Sequence, residues 1–457
     1  MSRPSSRLWR LPDVLAAAYH RNHLARNSSW VILGTGLNSV LGLVFWSVAT
    51  HSYPTSAIGE ASAVIAAMTF ASSVAMMGLG TAVLQVLPRA SDETWSAAVN
   101  ALVIGGAVVG FGVGVVTAVV LPHVSANLSF TGEPGTAASI AIGVAALTVA
   151  ALLDSVFTAE RSAHYIVIRG VTFGILKLAL LIVLVLLGVH SAPWLVVAWV
   201  LGSVLTSAGT LIWQINRLGR THRYDMRGVV PYLRKWFKVL MLHHIANLGG
   251  YMIPSLMPVL VVARLSKVDG AYFYVAWLVS GILLTVSAAV AANLLADLSY
   301  GDEPMATKLR RASRLIAVLL LPPVLVIAIF GRQILGIFGA VYAVHSYGLL
   351  LLFLIVVIPD AVTNVYVTVL RIRGQPQRAA VMNLAMAVVA LAGGWWLMGL
   401  FGVAGVVWAW ALAQAVGCCY VAGDAYLAGG TPPPSVGANE SGGPDLSTVR
   451  GNRSVRD

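Results

Sequence analysis

The most regular feature of the chain is a series of long apolar runs separated by short polar segments. The run LALLIVLVLLGV, residues 178–189, is typical. Strands of a membrane barrel would alternate apolar and polar residues over about 10 positions, whereas these runs are unbroken and predict helices. Each run is close to or longer than the roughly 20 residues that a helix needs to cross the hydrocarbon core. The predicted spans are 29–50, 58–86, 96–121, 136–158, 165–188, 193–215, 237–263, 270–296, 312–331, 344–370, 379–400 and 401–427.

Composition places these helices in a membrane. Hydrophobic residues make up 58% of the chain and charged residues 10%, against about 25% charged in an ordinary soluble domain. We therefore predict an all-α polytopic membrane protein with about twelve transmembrane helices. The two cysteines, Cys418 and Cys419, are adjacent in the last apolar run. We interpret them as packing residues and not as a disulfide or metal site.

Positive charge falls almost entirely on one side of this arrangement. If both termini share that side, its loops and the adjoining ends of the spans carry 25 of the 29 Lys and Arg residues, and Lys177 alone lies deep inside a span. Basic loops mark the cytoplasmic face. We therefore predict a multi-pass plasma-membrane protein with both termini in the cytoplasm. The net charge of +12 belongs to these loops, so no nucleic-acid partner is predicted.

A basic stretch at 216–238, NRLGRTHRYDMRGVVPYLRKWFK, divides the spans into six and six. We interpret it as a cytoplasmic hinge between two halves of a transporter. The segment rich in Gly, Pro and Ser after 428 is predicted to be disordered, and the basic arm at the start is either a surface helix or a disordered tail. The predicted segments are the arm 1–28, the N-terminal half 29–215, the hinge loop 216–236, the C-terminal half 237–427 and the tail 428–457.

The two halves repeat each other weakly. Because each half has an even number of spans, both enter the membrane in the same sense, which predicts parallel repeats around a central cavity. The matched positions are Asn38 with Asn247, residues 58–61 with 269–271, Asp154 with Asp360, and the tripeptide at 168–170 with that at 372–374.

Two stretches carry a family resemblance. Residues 26–89 (RNSSWVILGTGLNSVLGLVFWSVATHSYPTSAIGEASAVIAAMTFASSVAMMGLGTAVLQVLPR) and 152–181 (LLDSVFTAERSAHYIVIRGVTFGILKLALL) resemble the bacterial polysaccharide-biosynthesis flippases of the multidrug/oligosaccharidyl-lipid/polysaccharide exporter superfamily. The resemblance implies two six-helix bundles around a central cavity. It also implies export of a polyprenyl-pyrophosphate-linked oligosaccharide by alternating access, for cell-surface polysaccharide biosynthesis. Many such flippases have arginines low in the first cavity helix, where this chain has Ser28 and Ser29, with Arg26 just outside.

Lys177 is the most unusual intramembrane residue. It lies 12 residues after Tyr165, about 18 Å along the helix and near the membrane midplane. A charge there costs at least about 2.5–3.5 kcal/mol, so it must face a cavity or a partner. One hypothesis is a cavity cation that meets the lipid pyrophosphate. The other is a structural ion pair with Asp154 or Asp360.

Further polar residues extend the predicted cavity. His243 and His244 fall about two turns into the seventh span, where one of them could bind phosphate or carry a coupling proton, or merely pack. Asn38 and Asn247 are candidates for substrate binding or for hydrogen bonds between helices.

The matched aspartates admit two interpretations. Asp154 and Asp360 could hold a proton or a sodium ion, or they could form helix-packing ion pairs with Arg161 and Arg371. We favour the ion pairs. No cofactor is predicted, and a proton or sodium gradient is left open as the energy source.

A gate is predicted at the outer face. Glu60 could pair with Arg264 across the halves, or it could be an exposed acid at a helix N-terminus. Pro254 and Pro258 are expected to kink the seventh span, as a moving gate or as a static bend.

Three function classes compete. An enzyme such as a glycan polymerase would need a sizeable extramembrane domain, and the outer loops are short, so no enzyme activity is predicted. A pump for cationic drugs would need an acidic cavity, whereas Lys177 and two histidines favour an anionic cargo. A peptidoglycan-precursor flippase is a near alternative to the oligosaccharide flippase. The predicted partners are the glycan lipid, membrane lipids and, more distantly, glycan-assembly enzymes.

Overall fold

The computed structural model describes residues 11–218, 248–298 and 305–428, which are helical with no strand in these ranges. The first half contains α1 (Leu11–Ser52), α2 (Thr55–Ala75), α3 (Leu79–Val86), α4 (Asp92–Val124), α5 (Pro134–Ala159), α6 (Ala163–Leu186) and α7 (Ala192–Gly209). A π-helical turn (Thr210–Gln214) and then a 3-10 turn (Ile215–Arg217) continue α7. The second half contains α8 (Leu248–Arg264), α9 (Lys267–Leu298), α10 (Met305–Gly336), α11 (Ala340–His345), α12 (Tyr347–Ile372), α13 (Pro376–Phe401) and α14 (Ala404–Ala428).

The predicted helical membrane architecture is confirmed. Among the described residues, 11 helices are long and apolar enough to cross a membrane. The shorter α8 is the part of the predicted span 237–263 that the structure describes. The two groups of helices pack as bundles around a central cavity. The hinge 216–236 and the tail 428–457 lie almost wholly outside the described ranges.

Two segments differ from the prediction. The predicted span 58–86 is broken after α2, where Met77 and Gly78 have φ angles of 44° and 75°, and the short α3 follows. The break arises because Gly78 adopts a left-handed conformation that glycine reaches without strain. In addition, α1 already begins at Leu11, so most of the predicted arm continues into the first span as one helix.

Glycines bring neighbouring helices of the first half into close contact. A Cβ atom at Gly110 would lie 2.9 Å from the Ala145 Cα, and one at Gly114 would lie 2.7 Å from the Ala141 Cα. These glycines are four residues apart, on one face of α4. Small residues of this kind allow helix backbones to approach without intervening side chains, so α4 and α5 form a tight pair.

The bundle has two distinct ends. We call the basic end the one that carries the turns after α5 and α12, with Arg161 and Arg373, and the end of α7, with Arg217. We call the opposite one the closed end, which carries the connections 53–54, 125–133 and 265–266.

Candidate functional site

A cavity of about 610 Å³ lies between the two halves. This volume falls within the range of about 300–1,000 Å³ found for small-molecule sites. Helices α1, α2, α6 and α7 of the first half and α8 and α9 of the second provide its walls. The polar side chains among the lining residues belong to Thr35, Asn38, Ser39, Thr69, Lys177 and Ser255, together with the indole nitrogens of Trp46, Trp199 and Trp277 and the hydroxyl of Tyr274.

Lys177 lines this cavity and is only 5% exposed. Three aromatic rings surround its ammonium group: Nζ lies 3.9 Å from the ring centre of Trp199, 4.8 Å from that of Phe173 and 5.2 Å from that of Phe45. We call these three rings the aromatic cage. A cation over a ring face gains about 2 kcal/mol when desolvated. The cage therefore offsets part of the desolvation cost of the lysine without neutralising its charge.

The ion pair that the sequence offered as the alternative for Lys177 is not formed. Within the described ranges, no carboxylate pairs with its Nζ atom, because Asp154 and Asp360 are engaged elsewhere. The Trp199 indole Nε1 is also buried without a hydrogen-bond partner in this part of the chain. The cavity lining contains no Asp or Glu among the described residues. The part of the cavity around Lys177 thus presents a cation and an indole N–H donor, with no acidic side chain among the described lining residues.

The opposite part of the cavity is polar and open. Thr35 and Asn38 of α1 and Thr69 of α2 are exposed and lie towards the basic end. Asn38 packs directly over Gly170 of α6, where any Cβ atom would overlap its side-chain amide. Asn38 therefore lines the cavity, a glycine on α6 provides the space for it, and its role in substrate binding stays a prediction.

Asp154 forms a helix-packing ion pair. The Arg169 guanidinium of α6 donates from Nε to the Asp154 Oδ1 at 2.7 Å and from its terminal nitrogen to Oδ2. The predicted pairing with Arg161 is wrong in its partner. Arg161 lies in the turn after α5 with a φ angle of 53°, whereas Arg169 lies two helical turns into α6, beside α5.

Asp360 is part of a polar network within the second half. Its carboxylate accepts hydrogen bonds from the Asn364 Nδ2 at 2.8 Å and from the Gln414 Nε2 at 2.9 Å. Gln414 in turn accepts a hydrogen bond from the Thr363 hydroxyl at 2.8 Å. These contacts join α12 to α14 away from the central cavity, as expected for a packing role.

An ion pair between Glu60 of α2 and Lys267 of α9 joins the halves at the closed end. The predicted partner of Glu60 was Arg264, which is corrected by this observation. Arg264 instead contacts α13, with its guanidinium 5.3 Å from the Trp395 ring centre and its Nε donating to the Trp395 carbonyl at 3.4 Å. Arg264 therefore belongs to the packing of the second half.

Close backbone contact reinforces the closed end. A Cβ atom at Gly59 of α2 would overlap the Lys267 carbonyl oxygen, and one at Gly270 of α9 would lie 3.7 Å from the Gly59 Cα. These are two of the positions that the sequence repeat matched. The Asn127 amide also donates to the carbonyls of Val262 at 2.8 Å and Leu265 at 3.3 Å. The two halves thus meet tightly at this end.

The remaining predicted gate and cavity residues lie on or before α8. Pro254 and Pro258 line the cavity, and α8 remains helical through both. His243, His244 and Asn247 lie outside the described residues.

Sequence reasoning missed the aromatic cage, and it missed Lys267 as the partner of Glu60. Phe173 lies four residues before Lys177, and this i,i+4 spacing on a helix was a usable signal for one ring. Phe45 and Trp199 come from α1 and α7, and their approach depends on tertiary packing. The small Gly202 allows that approach, since a Cβ atom there would lie 3.2 Å from the Lys177 Cβ.

The fold is similar to that of several solved membrane transporters. A multidrug resistance MATE family transporter of the MOP superfamily, in an inward-facing conformation, matches with a TM-score of 0.68 and 13% identity over 86% of this chain and 95% of that one. The lipid II flippase MurJ, in an inward closed conformation, matches with a TM-score of 0.66 and 11% identity over 86% and 87%. A MATE protein in complex with MaL6 matches with a TM-score of 0.57 and 14% identity over 89% and 96%.

These similarities establish the fold and not the cargo. At 11–14% identity, the chain has the architecture of MOP superfamily transporters. No family model and no curated protein sequence matches it.

Proposed function

We propose that the protein is a flippase that moves a polyprenyl-pyrophosphate-linked oligosaccharide from the cytoplasmic to the outer leaflet of the plasma membrane. The observation that carries this proposal is Lys177. Its ammonium is buried in the central cavity and surrounded by the aromatic cage, with no carboxylate partner in the described part of the chain. A fixed cation in a low-dielectric site attracts an anion far more strongly than one in water.

Charge separates this cargo class from cationic drugs. A cationic drug would meet the Lys177 ammonium without an acid among the described lining residues to bind it. A pyrophosphate would instead gain the Lys177 charge and a hydrogen bond from the Trp199 indole N–H, which has no partner in the described structure. The polar side chains of Thr35, Asn38 and Thr69 then lie where a sugar headgroup would enter.

The difference between the two ends of the bundle suggests the direction of the transport cycle. The contacts at Gly59 and Glu60 seal the closed end, which we assign to the outside, while the exposed cavity residues face the basic end, which we assign to the cytoplasm. Cargo would enter from the basic end, bind at Lys177 and leave when the α2–α9 contact opens. Asp154 and Asp360 are held in packing contacts, so we assign neither to ion coupling.

Transport by the purified protein tests this proposal. Proteoliposomes would carry a fluorescent polyprenyl-pyrophosphate oligosaccharide, and a membrane-impermeant quencher would report its transfer between leaflets. We expect transfer at least tenfold faster than in protein-free vesicles. Absence of transfer, combined with accumulation of a cationic dye under a proton or sodium gradient, would contradict the proposal.

A peptidoglycan lipid precursor is the second candidate cargo, because it presents the same pyrophosphate to Lys177. The same vesicles, loaded with a fluorescent peptidoglycan precursor, compare the two directly. We expect the oligosaccharide lipid to be transferred faster. The reverse order would retain the anionic-lipid mechanism and reassign the glycan.

A further inference from the structure

A second cavity, of about 530 Å³, lies within the second half between α10, α12 and α14. We call it the second-half groove. Aliphatic side chains make most of its surface, including Ile316, Leu320 and Val324 of α10. At its end nearest the basic end it is bordered by Tyr366, Arg373 and Asp424. The groove is therefore apolar along its length and polar at one end.

The groove lies on the basic side of a contact between α10 and α12. Near the closed end they are in contact: the Tyr347 hydroxyl donates to the Ala328 carbonyl at 3.1 Å, and a Cβ atom at Gly331 would lie 3.1 Å from the Leu350 Cδ2. Towards the basic end, the wall of α10 is formed by large aliphatic residues spaced four apart. These side chains line the cavity between the two helices on that side.

The matched pair in the first half is packed tightly along part of its length. If the sequence repeat is followed, α4 and α5 correspond to α10 and α12. On α4, the four-residue spacing is occupied by Gly106, Gly110 and Gly114, which pack against α5. The corresponding face of α10 carries Ile316, Leu320 and Val324. The groove-lining face of α10 thus carries large aliphatic residues where α4 presents glycines to α5.

Positive charge lies at the polar end of the groove. The Asp424 carboxylate accepts hydrogen bonds from the Tyr366 hydroxyl, from Arg373 at 3.4 Å and from Arg378 at 3.2 Å. One carboxylate thus faces two guanidinium groups, which leaves a net positive charge. Three more exposed arginines lie on the adjoining turns of α10: Arg310, Arg311 and Arg314.

We propose that the second-half groove binds a hydrocarbon chain of an anionic membrane lipid, with the lipid phosphate at Arg373. An apolar slot inside a membrane-spanning bundle suits an acyl or prenyl chain, and guanidinium groups bind phosphate with two parallel hydrogen bonds. The basic rim selects an anionic headgroup over a zwitterionic one. This site is separate from the central cavity and does not depend on the cargo proposed above.

Photocrosslinking from the groove wall tests the occupant. Ala317 lines the groove and is exposed, whereas its neighbour Val318 is 68% exposed and does not line it. The variants Ala317→p-benzoylphenylalanine and Val318→p-benzoylphenylalanine would be placed in nanodiscs of equal phosphatidylglycerol and phosphatidylcholine. After irradiation, intact mass identifies each adduct. Val362→p-benzoylphenylalanine, on the opposite wall, provides a second probe if the first variant does not fold.

The expected result is an adduct at position 317 that is at least threefold richer in phosphatidylglycerol than the adduct at 318. Adding Arg373→Gln should return the ratio at 317 to that at 318. Three results would overturn the proposal: equal ratios at 317 and 318 in the unaltered background, a crosslink from 317 to the chain itself, such as residues 219–247, or a crosslink to a second copy of the chain.

Discussion

At the scale of single residues, the structure separates two ways of keeping charge in a membrane. Arg169 is paired with Asp154 in a bidentate contact between neighbouring helices, whereas Lys177 is surrounded by aromatic rings. An ion pair neutralises charge, but a cage leaves it available to a ligand. The first arrangement therefore serves packing, and the second suits binding.

This distinction predicts different effects of substitution. Asp154→Asn leaves the Arg169 guanidinium without its counter-charge. The pair is partly buried, with side-chain exposures of 14% for Arg169 and 30% for Asp154, so the cost is less than the roughly 3–5 kcal/mol of breaking a fully buried pair from one side. We expect a clear fall in the apparent melting temperature in detergent, and the double variant that combines Asp154→Asn with Arg169→Gln should recover part of it. Full stability of the Asp154→Asn variant would show that the pair does not hold α5 to α6.

At the scale of helices, the crossing of α2 and α9 decides whether the closed end can seal. Gly59 has no room for a side chain, because the Lys267 carbonyl occupies the space. Any larger residue must separate the two helices. The cavity should then become reachable from the closed end.

Gly59→Val is expected to open that end. Ser255 lines the cavity and is 7% exposed, so Ser255→Cys reports access, in a background with Cys418 and Cys419 changed to serine. A membrane-impermeant maleimide added from the side of Glu133 should label it at least fivefold faster with Gly59→Val. Gly135→Val is the control, because no atom lies within 4 Å of a Cβ there. Equal labelling of Ser255→Cys alone, with Gly59→Val and with Gly135→Val would show that the contact between α2 and α9 does not seal the closed end.

The ion pair at the same crossing should have a smaller effect. The Lys267 side chain is 36% exposed, and pairs of this kind contribute about 0.2–1 kcal/mol. Lys267→Glu should raise the labelling of Ser255→Cys by a smaller factor than Gly59→Val, and the exchange Glu60→Lys with Lys267→Glu should restore the original rate. Failure of the exchange to restore it would indicate that the pair does not act across the halves.

At the scale of the whole molecule, hydropathy predicted the order and positions of the membrane helices, since each span must be long and apolar. It could not locate the break at Met77 and Gly78, because the apolar run continues through it. The ion-pair partners of the charged residues were harder to predict than the helices. Arg169 and Lys267 were recognisable as charges, but which acid each one meets depends on how helices distant in sequence are packed.

The orientation of the molecule remains a prediction from its charge asymmetry. Glu133→Cys lies at the closed end and Gln377→Cys at the basic end, and both positions are exposed. Each variant is expressed without the native Cys418 and Cys419. In intact cells, an impermeant maleimide should label position 133 and leave position 377 unlabelled until the membrane is permeabilised. Labelling of 377 in intact cells would invert the assignment of both ends.

The role of Lys177 as the cavity cation is the central claim, and transfer of the lipid-linked oligosaccharide in proteoliposomes tests it most directly. Lys177→Met keeps the side-chain length and the helix propensity but removes the charge, and should reduce transfer at least tenfold at unchanged melting temperature. Lys177→Arg should retain part of the activity. Arg332→Gln, which removes an exposed cation outside the cavity lining, should transport normally. Normal transfer by a stable Lys177→Met protein would contradict the account.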